Sequence, residues 1–204
     1  MKRVANIAVL VSGGGTNLQA LIDAETSGIL KNGKIVLVIS NNPEAYALTR
    51  AEKAGIPCRV VTKKEYGREG AEQKMISILE ENKIDLIILA GFMSILSENF
   101  TKRYERRIIN VHPSLIPSFC GEGFYGLKVH EAALKKGVKV TGATVHFVNE
   151  IPDGGEIIMQ KAVEIEEGDT PEVLQERVMR KAEWIILPMS AEKVSAQIIE
   201  KEQR

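Results

Sequence analysis

The sequence predicts an α/β fold, with a Rossmann-like, mostly parallel sheet and helices on both of its faces. Three mainly apolar runs of strand length, residues 4–11, 85–90 and 107–111, alternate with stretches of helical spacing. Apolar runs without polar alternation are typical of parallel strands buried on both faces. Two longer strand-like runs, residues 138–148 and 156–165, then predict a C-terminal β-hairpin-like pair before a long last helix.

Up to residue 111 the elements alternate between strand and helix. In order, the pattern predicts strand 4–11, helix 18–24, strand 34–39, helix 43–54, strand 58–61, helix 68–81, strand 85–90, helix 97–104 and strand 107–111. Gly55 and Pro57 end the second helix. Such an alternation favours right-handed β-α-β units, and therefore a parallel sheet.

The C-terminal part predicts further helices around the hairpin-like pair. In order these are helix 127–136, a helix from Thr170 to beyond Trp184 that Pro188 interrupts or kinks, and a charged helical tail over residues 191–204. Thr170 is a suitable N-cap, and Pro171 suits the first helical turn. Because no repeat or linker divides the sequence, we expect one domain over residues 1–204.

Composition and charge narrow the functional class. Lys plus Arg and Asp plus Glu number 27 each, and a net charge of zero argues against a large nucleic-acid interface. Cys58 and Cys120 are too few for a disulfide framework and fit a reducing cytoplasm. Asn6 interrupts the apolar start, and no cleavage pattern follows it, so a signal peptide is not expected. The longest apolar stretch, residues 84–96, is too short and too polar to span a membrane.

A glycine turn separates the first predicted strand from the first predicted helix. In Ser12-Gly13-Gly14-Gly15-Thr16-Asn17 the glycines let the backbone approach an anion, and free N–H groups at the helix start point at it. Thr16 or Asn17 can cap the helix or donate to a phosphate. Leu18 replaces the third glycine of a dinucleotide motif, and no Walker lysine follows. A simple phosphate group is the preferred ligand, and a purely structural turn is the alternative.

Polar side chains of catalytic type stand at the ends of two predicted strands. Asn110 and His112 lie at the end of strand 107–111, and Asp153 follows a strand-like run over residues 141–148. Open α/β sheets bind their ligands at such strand ends. We expect Asn110, His112 and Asp153 to converge on one reacting centre. The alternative is a capped strand end, a lone surface histidine and an ordinary turn.

The remaining histidines and Cys120 suggest neither a metal site nor a nucleophile. His112, His130 and His146 lie far apart in the sequence, without the spacing of zinc ligands. His130 falls on the apolar face of its helix and His146 alternates within a strand, so both are expected to support the structure. Cys120 has no base beside it in the sequence.

Together these segments resemble the folate-dependent formyltransferases, in particular those that formylate glycinamide ribonucleotide in purine biosynthesis. The matching segments are Ser-Gly-Gly-Gly-Thr-Asn-Leu-Gln-Ala from residue 12, Leu-Ala-Gly-Phe-Met-Ser-Ile-Leu from residue 89, Asn-Val-His-Pro-Ser-Leu-Ile-Pro from residue 110, Thr-Val-His-Phe-Val from residue 144 and Asp-Gly-Gly from residue 153. They occur in the family's order and cover nearly the whole chain. The Asn-x-His-Pro-Ser motif with the later aspartate is their most specific part.

The resemblance implies formyl transfer from 10-formyltetrahydrofolate, as cosubstrate, to the amino group of glycinamide ribonucleotide, with small-molecule substrates and no metal. Asn110 and His112 would stabilise a tetrahedral oxyanion, and Asp153 would relay protons and keep His112 charged. The implied nucleotide-binding residues are Gly14, Gly15, Thr16, Asn17 and Glu183. The implied folate-binding residues are Arg68, Met93, Ser94, Ile95, Leu96, Asn110, Asn149, Glu150, Ile151, Pro152 and Asp153. Monomer and homodimer stay open as alternatives.

The chain departs from the family pattern at three places. Ser94 stands where the family often has an arginine, the segment between Val178 and Glu183 is one residue longer than usual, and the loop over residues 119–125 differs from the shorter common form. Two related activities are alternatives: methionyl-tRNA formyltransferase, with an added basic domain, and formyltetrahydrofolate deformylase, with an N-terminal regulatory domain. Because the chain is neutral and its ends coincide with the predicted fold, we expect neither. A phosphate-binding regulatory module without catalysis is the alternative from another class.

Overall fold

The computed structural model describes residues 3–202, so residues 1–2 and the last two residues of the predicted tail, 203–204, lie outside the described residues. The strands are β1 (Ala5–Val11), β2 (Gly33–Ser40), β3 (Cys58–Val60), β4 (Leu86–Leu89), β5 (Ile108–His112), β6 (Val140–Phe147) and β7 (Ile157–Glu164). The helices are α1 (Thr16–Thr26), α2 (Tyr46–Lys53), α3 (Lys63–Glu81), α4 (Glu98–Arg103), α5 (Leu127–Lys136), α6 (Pro171–Val178) and α7 (Trp184–Glu202). A π-helical turn, Met179–Glu183, joins α6 to α7.

The seven strands form one sheet in the order β3-β2-β1-β4-β5-β6-β7. The first five strands run parallel, whereas β6 is antiparallel to both β5 and β7. The predicted α/β fold class and the C-terminal hairpin are therefore confirmed. The strand order reverses between β1 and β4, and ligands of such sheets lie in the crevice at this reversal, outside the carboxyl ends of the strands.

Helices cover both faces of the sheet because the inner strands are apolar on both sides. Ile7, Val9 and Val11 of β1 pack on the face covered by α1, α2, α6 and α7. Ala8 and Leu10 of the same strand pack on the opposite face, against α3 and α4. Successive side chains of a strand point to opposite faces, so one continuous apolar run contributes to both core layers.

Two predicted helix boundaries differ from the structure. Helix α3 begins at Lys63 rather than at Arg68, because Thr62 caps an additional turn by accepting from Glu65 N–H at 3.2 Å. Gly67, at φ 71° and ψ 177°, breaks the helix after that turn. The C-terminal helix is not interrupted at Pro188, since α7 continues from Trp184 to Glu202. Pro188 is buried in the helix layer, and packing there offsets its missing hydrogen bond. Within residues 3–202, no helix combines the length and apolar character needed to cross a bilayer.

Candidate functional site

Asn110, His112 and Asp153 line one cavity of about 690 Å³ at the carboxyl end of the sheet. Asn110 and His112 are two positions apart on β5, so their side chains project from the same face of the strand. Asp153 lies in the connection between β6 and β7, with a φ of 55° that non-glycine residues rarely adopt. The three residues that the sequence predicted to converge therefore meet around one space.

The Asp153 carboxylate lies between two imidazole rings. His112 Nδ1 is 3.4 Å from Asp153 Oδ2, and His146 Nε2 is 3.4 Å from Asp153 Oδ1. Asn110 Nδ2 lies 3.3 Å from the same His146 nitrogen, because Asn110 and His146 face each other across β5 and β6. Gly121 N–H also donates to Asp153 Oδ2, at 2.9 Å. Asp153 thereby connects the two histidines and the loop at Gly121.

Main-chain carbonyl groups fix which nitrogen of each ring carries a proton. His112 Nε2 lies 2.8 Å from the Phe119 carbonyl oxygen, and His146 Nδ1 lies 2.8 Å from the Phe147 carbonyl oxygen. A carbonyl oxygen only accepts hydrogen bonds, so each of these ring nitrogens must donate. In a neutral ring the other nitrogen then turns its lone pair towards Asp153. This arrangement can take up a proton between the carboxylate and either ring.

Burial sets the resting charge of His112. Its side chain is almost fully buried, which lowers the pKa of His112 and outweighs the raising effects of Asp153 and of the Phe119 carbonyl. A lowered pKa favours the neutral imidazole at rest, and the role of Asp153 in holding a charged His112 stays a prediction. For Asp153, burial raises the pKa, but a hydrogen bond from His146, the positive charge of His112 and His146 when protonated, and Gly121 N–H together outweigh burial and lower it. The resting pair is a carboxylate beside a neutral imidazole.

His130 is buried without a hydrogen-bond partner. It lies on α5 with no exposed surface, and neither ring nitrogen has a partner among residues 3–202. Burial, helped by the proximity of His112, lowers the pKa of His130 to about 4. The prediction that His130 packs into its apolar surroundings is confirmed. In the same described range, no three His, Cys, Asp or Glu side chains form a group that could hold a metal ion.

The segments implied for folate binding form a narrow slot that Asn110 and Asp153 also line. The slot has a volume of about 110 Å³ and is lined by Leu89, Phe92, Ser94, Ile95, Leu96, Asn110, His146, Val148, Asn149, Glu150, Ile151, Pro152 and Asp153. Ile95 and Ile151, although apolar, are 61% and 58% exposed. Exposed apolar side chains around a concave slot are typical of a small-molecule site.

The other implied folate residues lie close to this slot. Met93 is 58% exposed and lines the larger cavity with Asn110. Arg68 lines a small recess together with Ser94 and Ile95. Ser94, which replaces the family's arginine, accepts a hydrogen bond from Asn41 Nδ2 at 2.9 Å. The Ser94 side chain is thus hydrogen-bonded to the loop that follows β2.

The glycine turn follows β1 on the other side of the crevice. Ser12 Oγ accepts from Met93 N–H at 2.8 Å, which joins the turn to the loop after β4. Asn17 Nδ2 donates to Glu183 Oε2 at 2.7 Å, and burial raises the pKa of Glu183 to about 6 against the lowering effect of Asn17. Glu183 ends the π-helical turn, which holds one residue more than an α-helical turn.

The sequence matches a known protein family over most of its length. A family model described as "Formyl transferase" matches residues 5–189. The chain belongs to this formyl transferase family. The resemblance that the motifs indicated is therefore confirmed, and the match extends through the glycine turn, the β5 motif and Asp153.

Individual relatives support the same conclusion. A phosphoribosylglycinamide formyltransferase from Haemophilus influenzae is 43% identical over 184 residues, which cover 90% of this chain and 84% of the relative. The human trifunctional purine biosynthetic protein adenosine-3 is 46% identical over 196 residues, which cover 96% of this chain but 19% of the human protein. This chain therefore spans about a fifth of that relative's length. A crystal structure of phosphoribosylglycinamide formyltransferase from Anaplasma phagocytophilum superposes with a TM-score of 0.85 at 40% identity, covering 96% of this chain and 89% of that one.

His146 is the site residue whose importance the sequence understated. Strand alternation placed it as structural support, but in this formyl transferase it contacts both Asn110 and Asp153. The signal was present in the segment Thr-Val-His-Phe-Val, where a polar side chain stands in an otherwise buried strand. The pairing of β6 with β5 identifies Asn110 as its partner, and the fold of the β6–β7 connection adds Asp153.

Proposed function

We propose that the chain transfers a formyl group from 10-formyltetrahydrofolate to the amino group of glycinamide ribonucleotide, a step of IMP biosynthesis. Asn110, His112 and Asp153 carry this proposal, because they line one cavity that adjoins the folate slot, and Met93 of the same cavity is hydrogen-bonded to Ser12 of the glycine turn. The name of the Haemophilus influenzae relative, phosphoribosylglycinamide formyltransferase, supports the same activity.

The reaction needs an oxyanion site and a proton carrier. The substrate amine attacks the formyl carbon, a C–N bond forms, and the carbonyl oxygen becomes an oxyanion. When the intermediate collapses, the bond from that carbon to the folate nitrogen breaks. One proton leaves the attacking nitrogen and one reaches the folate nitrogen. Preorganised donors that face a developing negative charge are usually the largest catalytic contribution.

Asn110 and His112 are the proposed donors. Asn110 Nδ2 has two hydrogens, and with one directed at His146 the second is available to the oxyanion. His112 Nε2–H is directed at the Phe119 carbonyl, so donation to the oxyanion requires that carbonyl to give way. Phe119 has a φ of 49°, which is costly for a non-glycine residue and favours such a displacement.

Asp153 and the His112 Nδ1 lone pair are the proposed proton carrier. A neutral His112 imidazole can accept the proton that the attacking nitrogen loses. Asp153 or a water molecule relays that proton to it. The resulting imidazolium has Nδ1–H facing the carboxylate, which stabilises its charge. The same proton is then available to the departing folate nitrogen.

The two substrates occupy opposite sides of the cavity in this proposal. The nucleotide phosphate binds at Gly14, Gly15, Thr16 and Asn17, and the ribose lies near Glu183. The folate pterin enters the slot of residues 93–96 and 149–153, with Arg68 near its tail. We further propose that residues 1–204 act as one cytoplasmic domain on small molecules. Free cysteines and a net charge of zero are consistent with this.

One assay separates this function from its alternatives. The protein is incubated with glycinamide ribonucleotide and 10-formyltetrahydrofolate, and release of tetrahydrofolate is followed. We expect release only when both substrates are present. Release without the nucleotide would indicate a deformylase, and release with methionyl-tRNA in its place would indicate a tRNA formyltransferase. Nucleotide binding without any release would indicate a regulatory module.

A further inference from the structure

In the glycine turn, the main-chain carbonyl oxygens of Ser12, Gly13 and Gly14 each accept a hydrogen bond from the segment that follows β2. The three hydrogen bonds are Ser12 O from Asn42 Nδ2 at 3.3 Å, Gly13 O from Ala47 N–H at 3.0 Å and Gly14 O from Arg50 Nε at 2.8 Å. Two of these donors lie on α2, and the third precedes it. The turn is therefore oriented by α2 and not by its own sequence alone.

These bonds determine where the N–H groups of the turn point. In a trans peptide the N–H of one residue is antiparallel to the C=O of the residue before it. When the carbonyls are drawn towards α2, the N–H groups of Gly13, Gly14 and Gly15 must point away from it. Within residues 3–202 these three N–H groups have no hydrogen-bond partner. Such a row of parallel N–H groups forms an anion-binding concavity.

Of the three residues that donate to the turn, Arg50 also contacts other elements. Its Nη1 donates to Gln19 Oε1 on α1 at 3.1 Å, and its guanidinium carbon lies 5.1 Å from the centre of the Tyr46 ring. One side chain thus ties α2, the turn and α1 together. The turn packs closely against α2, since a Cβ added to Gly15 would lie 2.6 Å from the Ala47 Cβ.

We propose that Arg50 is a positioning residue for the nucleotide phosphate, acting through the Gly14 carbonyl and not by direct contact. The inference rests on the proposed function, since it assumes that the phosphate binds at this turn. A planar guanidinium can donate from Nε and Nη1 at the same time, whereas a lysine ammonium is a single point of charge. The rival explanation is that Arg50 only adds positive potential near the phosphate.

Lysine at position 50 separates positioning from charge. We expect Arg50→Lys and Arg50→Met each to weaken binding of glycinamide ribonucleotide by about tenfold, because one charge-assisted hydrogen bond to the turn is lost in both. The folate KM should not change. Binding of the riboside that lacks the phosphate should change less than twofold. Affinities are measured by titration calorimetry, and thermal unfolding verifies that each variant is folded.

Lys53→Met is the matched control, because Lys53 is an exposed base on α2 that does not contact the turn. It should leave nucleotide affinity unchanged. Wild-type affinity in Arg50→Lys would overturn the positioning role and leave only the effect of charge. An equal loss of affinity for the riboside would overturn it too, since the effect would then not involve the phosphate.

Direct changes in the turn distinguish failure of this inference from failure of the proposed function. Gly15→Ala strains a backbone at φ 71°, and Asn17→Ala removes a polar side chain at the helix start. If both folded variants bind the nucleotide like wild type, the phosphate does not bind here and the inference falls with it. If they bind weakly but Arg50→Lys does not, only the role of Arg50 is refuted.

Discussion

Asp153 is shared by His112 and His146, and each ring already donates to a main-chain carbonyl. The remaining nitrogen of each neutral ring is therefore an acceptor that faces the Asp153 carboxylate, which is also an acceptor. A proton on Asp153, or on the ring nitrogen that faces it, forms a hydrogen bond between the two and removes their repulsion. Two rings fixed by the backbone and one carboxylate between them define a small, buried proton-binding unit. Asn110 is coupled to this unit through His146.

Loss of either oxyanion donor should affect turnover more than binding. If Asn110 and His112 act mainly in the transition state, Asn110→Ala and His112→Ala should each lower kcat by a factor on the order of 10²–10³, with KM values within a few-fold of wild type. Single-turnover kinetics measure this. Cys120→Ser is the control in the neighbouring loop and should turn over normally. Near-normal turnover in His112→Ala would refute the proposed mechanism.

Asp153→Asn tests the charge at nearly constant shape. The Asp153 carboxylate raises the pKa of His112, so its removal should lower that pKa further. Activity that depends on neutral His112 is lost as pH falls through this pKa, and the acid limb of the kcat/KM profile should move to lower pH. The maximal rate should also fall, because the imidazolium loses its partner. An unchanged profile would mean that the limb does not report His112.

At the scale of elements, the loop after β4 forms one wall of the proposed folate slot. Ile95 is 61% exposed, so Ile95→Asp should fold normally while it places a carboxylate against the pterin. We expect the folate KM to rise by roughly tenfold or more, from the lost burial of one apolar side chain, with the nucleotide KM unchanged. Ile29→Asp is the control at a similarly exposed isoleucine on another surface. A folate complex with the pterin elsewhere would contradict the prediction.

The sequence predicted elements well where a single local pattern decides them. The apolar run of β1 and the Thr170 cap with Pro171 were such cases, and both elements are present. The predicted helix began correctly after the break at Gly67, but the additional turn capped by Thr62 was missed, because it is too short to show a helical pattern. The π-helical turn of residues 179–183 was not predicted either, because a helical pattern of side chains does not distinguish a π-helical turn from an α-helical one.

The candidate site was predictable at its strand ends but not in its pairings. Asn110 and His112 stand in one motif at a strand end, where the rule for open α/β sheets expects a site. Asp153 follows β6, which runs antiparallel to β5, so its position beside them depends on the path of the loop after β6. The contact of His146 with Asn110 depends on the antiparallel register of β5 and β6, which no local pattern encodes. Burial of the whole group likewise depends on packing, so the sequence could not indicate that His112 rests neutral.

For the whole molecule, two buried groups make stability depend on pH in opposite directions. His130 has a pKa of about 4 in the fold against an ordinary value of 6.5. The unfolded chain therefore binds this proton first, and stability is lost as pH falls from 6.5 to 4, by roughly 3 kcal/mol in total. Glu183 has a raised pKa of about 6 against 4.5, so the folded chain binds that proton first. Its contribution is present below 4.5 and is lost as pH rises through 6, by about 2 kcal/mol.

Removal of each group should therefore change the pH dependence in a different direction. Between neutral pH and about pH 5, His130→Leu should spare the protein about 2 kcal/mol of acid destabilisation relative to wild type. Glu183→Gln should instead make the protein more acid-sensitive, by about 1 kcal/mol, because the stabilising protonation is gone. Urea unfolding of the three proteins at the two pH values measures both differences. A parallel pH dependence in all three would show that neither buried group titrates with folding, and that the acid response arises from surface carboxylates instead.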